Sequence, residues 1–131
     1  MFRLPAELDL RLARPTSHGL YHVSIKPLVD TPGINQIHAW DIGITNSAGL
    51  PVPDASIAFS GGMPQHGHGY PTKPAVTANL GDGHYRLGGV KFSMSGWWEM
   101  KLKVQSSYGT DDVVFNTIVS SQATQVAGAA P

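Results

Sequence analysis

The chain has 131 residues, enough for one domain with a real hydrophobic core, and its nine Lys and Arg cancel its nine Asp and Glu. No run of basic residues offers a footprint for nucleic acid or for an anionic membrane surface. The absence of Cys excludes a disulfide framework, thiolate metal sites and a Cys nucleophile, and the 15 Gly and 10 Pro point to the many turns of an all-β domain.

The segment Met1-Phe2-Arg3-Leu4-Pro5 lacks the apolar stretch of a signal peptide. No apolar run reaches the roughly 18 to 20 residues needed to span a bilayer. From Ala6 to Arg14, Leu8, Leu10 and Leu12 alternate with Glu7, Asp9 and Arg11, the period of a half-buried strand that Pro15 ends. Leu20 to Leu28 reads as a second strand, with Tyr21, Val23 and Ile25 on one face and Pro27 suggesting an edge position. The longest strand is expected over Gln36 to Thr45, with His38, Trp40, Ile42 and Ile44 on the core face. Ala55 to Ser60 follows, with Ile57 and Phe59 inward.

Next comes Gly61-Gly62-Met63-Pro64-Gln65-His66-Gly67-His68-Gly69-Tyr70, around which the chain is organised. Gly and Pro exclude a helix and disfavour a central strand, so the run is a loop. Its coordinating side chains are one thioether, Met63, and two imidazoles, His66 and His68. Soft sulfur with imidazole nitrogen suits copper, with Cu(I) favoured and Cu(II) the alternative.

Ala75 to Leu80 reads as a short edge strand and His84 to Leu87 as the next. Gly88-Gly89 marks a bulge, after which Val90 to Met94 continues the strand. Ser95-Gly96 is read as a hairpin link and Trp97 to Val104 as the return, with Trp98, Met100, Leu102 and Val104 inward. Val113 to Ser120 is the last strand. These make seven or eight strands with turn signals between them, and an Ig-like antiparallel β-sandwich over residues 1–120, followed by a disordered tail over 121–131. Tyr85 after the Asp82-Gly83 turn suggests a tyrosine corner.

Loops cluster at the two ends of a sandwich, so Met63, His66, His68, Met94 and His38 are the candidate metal ligands of one end. Each has a plainer reading. A Gly-flanked His pair can be merely solvated, Met94 can fill a core, and His38 can be a hydrogen-bonded core-edge residue. The combination carries more weight than any member. Zinc is the chemical rival, and thioether argues against it. A blue-copper site is disfavoured without its thiolate. No motif positions a general base, which argues against an enzyme.

Gln36 to Trp40, Gly61 to Gly69, Gly83 to Leu87 and Val90 to Glu99 together resemble the YtkA/FixH-like family of small exported β domains, over about residues 20 to 120. The Met63–Gly69 loop and Phe92-Ser93-Met94-Ser95-Gly96-Trp97-Trp98-Glu99 are the most specific parts. The resemblance implies an Ig-like sandwich outside the cytoplasm, often anchored by an N-terminal segment and associated with copper handling or oxidase assembly. Carried over by position, Met63, His66, His68 and Met94 match the suspected ligands, with His38 a fifth. The expected function is a periplasmic copper chaperone or storage protein that exchanges the ion with a donor or acceptor protein, membrane-bound or not. Two copies can meet through the ligand loop across a two-fold axis. The alternative is a non-catalytic interaction domain that docks a membrane partner.

Overall fold

A computed structural model describes residues 3–121. Eight strands follow one another as β1 (Ala13–Pro15), β2 (Tyr21–Pro27), β3 (His38–Asn46), β4 (Ser56–Gly62), β5 (Ala75–Gly81), β6 (His84–Val90), β7 (Gly96–Ser106) and β8 (Gly109–Val119). They form two antiparallel sheets, one in the order β1-β2-β3-β6-β5 and one in the order β4-β7-β8. The fold is the expected all-β sandwich, and the described residues contain no helix.

The two-residue period builds the core. Trp40, Ile42 and Ile44 of β3 meet Trp98, Met100, Leu102 and Val104 of β7, and all seven are buried. Phe115 and Tyr21 close the layer from β8 and β2. Ile57 and Phe59 pack on this core from β4, on the inward face that the alternation assigns. The double glycine of β6 is a bulge, since His38 pairs with Val90 and Trp40 with Leu87, leaving Gly88 and Gly89 opposite the single residue Ala39. Tyr85 donates its hydroxyl to the carbonyl of Val52 at 2.6 Å and accepts the N–H of Ala55 at 2.9 Å. It therefore works as a corner residue, although its partners lie some thirty positions upstream rather than beside it.

Three expectations are corrected. The strand expected over Ala6 to Arg14 is reduced to the ladder of Ala13–Pro15, and Leu10 is exposed. There the Asp9 carboxylate takes the backbone N–H and the guanidinium of Arg11, and this local bonding competes with a ladder. The hairpin of Val90 to Val104 does not exist. β6 ends at Val90, the chain crosses to the other sheet through residues 91–95, and β7 pairs with β4 and β8. The crossover still buries Phe92, so it mimics strand alternation in the sequence. Finally, Gly61 and Gly62 are the last two residues of β4 and not loop. The tail expected from 121 onward lies outside the described residues except for Ser121.

One end of the sandwich gathers the ends of β2, β4, β6 and β8 with the starts of β3 and β7. The loop after β4 and the β6–β7 crossover both emerge there.

Candidate metal site

The loop is closed by its own backbone. Met63 donates its N–H to the carbonyl of His68 at 2.9 Å, and the Met63 carbonyl accepts from His66 at 3.1 Å and from Gly67 at 3.0 Å. Met63 and His68 thus form an antiparallel bridge across a tight turn. Glycine makes this closure possible. A Cβ on Gly62 would lie 2.3 Å from the carbonyl oxygen of His68, and one on Gly61 would lie 2.2 Å from that of Glu99. Both glycines also have positive φ, 136° and 148°. From within the loop, Gln65 donates its side-chain amide to the carbonyl of Arg3.

The turn holds His66 and His68 on the surface with their ring centroids 5.8 Å apart and their planes 29° from parallel. The His68 ring also meets Trp98 edge-on at 6.3 Å between centroids. Below lies an aromatic floor. Trp98 is wholly buried, with Tyr70 at 4.9 Å and Phe92 at 5.3 Å. Tyr70 donates its hydroxyl to the carbonyl of Glu99 at 2.9 Å. Burial, and then the Glu99 charge, push the Tyr70 hydroxyl well above the usual range, so it stays a neutral donor.

The two methionines are placed differently. Met94 sits on the crossover with 37% of its surface exposed. Met63 is 2% exposed and belongs to the core. Its terminal methyl lies 2.9 Å from where a Cβ of Gly96 would be, so it fills the space that Gly96 leaves open. The signal for this burial was in the sequence, because Met63 continues the inward alternation of Ile57, Phe59 and Gly61 along β4. Met63 still lines, with Gly62, His68, Glu99 and Lys101, a shallow depression beside the loop.

His38 stands apart. It is 5% exposed, and both ring nitrogens are engaged. Trp40 Nε1 can only donate, and it reaches Nε2 of His38 at 2.9 Å. Nδ1 lies 3.0 Å from the carbonyl of Gln36 and therefore carries the proton. Burial lowers the His38 pKa, partly offset by its backbone hydrogen bond to Gln36. Among the described residues, no group of three or more His, Asp or Glu side chains is placed to hold a metal ion. Among the described residues, His38 therefore does not join His66 and His68 in a three-residue metal cluster.

Sequence reasoning placed Trp98 inward but missed its hydrogen bond to the segment that carries Met94. Its indole N–H donates to the carbonyl of Met94 at 3.0 Å while its ring touches His68. The Trp97-Trp98 pair so soon after Met94 was the available signal.

Fold and loop together define a small antiparallel β-sandwich domain that displays an imidazole pair at one end. The chain belongs to the YtkA-like family, whose model matches residues 18–103, a span that includes His38, the whole loop from Met63 to His68 and Met94. No curated protein and no solved structure matches it.

Proposed function

We propose that this protein is a non-catalytic, periplasmic copper carrier that binds Cu(I) at the loop end of the sandwich and passes it to a partner protein. His66 and His68 are the imidazole donors. Met94 is the exposed thioether, and Met63 lies at the floor of the adjoining depression. The observation that carries this reading is the spacing of the two imidazoles. A metal sits about 2.0 Å from an imidazole nitrogen, and that nitrogen about 1.1 Å from its ring centroid, so two rings sharing an ion have centroids at most ~6.2 Å apart. The rings of His66 and His68 lie 5.8 Å apart, within that limit. Thioether beside imidazole selects copper over zinc, and a site at the surface suits transfer by ligand exchange.

The test is an anaerobic Cu(I) titration against a chromogenic chelator, on the wild type and on His66→Ala, His68→Ala, Met63→Ala and Met94→Ala. One tight equivalent in the wild type, weakened in the His variants and in Met94→Ala, supports the reading. A wild type that never competes with the chelator removes copper, and docking of a membrane partner through the same loop takes its place.

A further inference from the structure

We infer that Trp98 is a positioning residue for Cu(I), setting where Met94 stands relative to His68. The inference rests on the copper-binding reading above. Three observations support it. The crossover that carries Met94 belongs to no strand, so no ladder fixes it. Its backbone is instead tied at two points: Asn35 donates its N–H to the Phe92 carbonyl at 2.8 Å, and Trp98 donates its indole N–H to the Met94 carbonyl at 3.0 Å. Trp98 is in turn wholly buried, packed against Tyr70 and Phe92 and carried by β7.

The same indole also meets the loop. The His68 ring stands edge-on to it, 68° from parallel. The backbone of His68 is held by its bridge to Met63, while its Nδ1 lies a long 3.4 Å from the carbonyl of Gly69. One buried side chain therefore touches both segments that carry exposed donors. A binding site gains affinity when its donors are held near the productive geometry before the ligand arrives.

Metal choice separates this role from plain core packing. Cu(I) draws on the thioether of Met94, whereas Zn(II) is served by imidazole and gains little from Met. A residue that places Met94 affects Cu(I) alone. A residue that only supports the fold affects both ions, through the stability of the loop.

The experiment measures Cu(I) and Zn(II) affinity by chelator competition, with thermal unfolding, for wild type, Trp98→Phe, Met94→Ala and the double variant. A further variant carries benzothienylalanine at position 98, which keeps the bicyclic ring and removes only the N–H. It decides the matter where the smaller Phe fails to fold. The expected result is a loss of about tenfold in Cu(I) affinity on removing the N–H, the size of one net hydrogen bond. Zn(II) affinity changes less than about twofold, and Met94→Ala adds nothing further in the Trp98→Phe background. Equal losses for both ions, additive losses in the double variant, or unchanged Cu(I) affinity with benzothienylalanine would each overturn the role of Trp98 while leaving copper binding in place. A wild type that binds no copper overturns both inferences together.

Discussion

Trp40 donates its indole N–H to Nε2 of His38 at 2.9 Å, two residues away on the same face of β3. Both side chains are buried, and the carbonyl of Gln36 fixes the tautomer by accepting from Nδ1. The imidazole is thus committed as the acceptor for a buried donor. Its ring lies 5.3 Å from Phe92, where β6 hands the chain to the crossover.

This arrangement fixes a pH dependence. Burial lowers the His38 pKa, so the unfolded chain binds more protons than the folded one once pH falls below the ordinary histidine value of about 6.5. The stability that His38 contributes is whole above that pH and declines as pH drops toward the depressed folded value. Protonation would also set an N–H of His38 against the N–H of Trp40. His38→Gln keeps an acceptor within reach but cannot titrate. Thermal unfolding between pH 7 and pH 5 should fall in the wild type and flatten in His38→Gln. His38→Leu should cost about 2 kcal/mol at pH 7, because it strands the buried indole N–H.

Asp111 governs a second acid window at the opposite end. Its side chain is 1% exposed. It accepts from the Thr16 hydroxyl at 2.7 Å, from the His18 N–H at 2.9 Å and from its neighbour Asp112 at 2.9 Å, with the His18 ring at 3.1 Å. Burial alone raises this carboxyl, but the donors together outweigh burial and hold it well below the usual carboxylate range. A depressed folded pKa means that the contribution is present above the unfolded value of about 3.9 and is lost as pH falls through and below it. Asp111→Ala should cost about 2 kcal/mol at neutral pH and remove the steepest loss of stability below pH ~4, as read by urea unfolding at a series of pH values.

Tyr85→Phe tests the corner. The hydroxyl both donates to Val52 and accepts from Ala55, and its loss leaves those backbone groups without it beside β4. A cost of about 1 to 2 kcal/mol is expected, seen as a lower midpoint in denaturant at unchanged slope. Copper affinity should not move, since the corner lies away from the loop end.

Much of the fold was legible because β3 and β7 keep strict alternation around large side chains, and because the bulge at Gly88-Gly89 announces itself by composition. What was not legible is which sheet a strand joins. Val90 and Phe92 satisfy a two-residue period whether the chain runs on in β6 or turns across the sandwich. The choice depends on long-range pairing, here of β7 with β4 and β8, which local pattern does not encode. The same limit applied to the site. His66 and His68 could be placed together from spacing alone, as neighbours on one tight turn. The alternation of Ile57, Phe59 and Gly61 already pointed Met63 inward, but Met94 could not be placed without knowing that it rides an exposed crossover.

Gly62, just before the Met63–His68 turn, and Gly67, within it, give the sharpest contrast. Gly62 has φ of +148°, and a Cβ there would meet backbone atoms on two residues, the His68 oxygen at 2.3 Å and the Gly69 Cα at 2.7 Å. Neither atom belongs to a flexible side chain, so Gly62→Ala must push the two arms of the loop apart and break the Met63–His68 bridge. Gly67 has φ of +67°, and nothing lies within 4 Å of a Cβ built on it. Gly67→Ala therefore meets only the left-handed backbone penalty, about 1 kcal/mol, with the loop otherwise intact. Copper titration of the two variants should separate them by more than tenfold, with Gly62→Ala weakened and Gly67→Ala close to wild type. Equal affinities would mean that a solvated, adaptable loop binds the ion without the preformed turn.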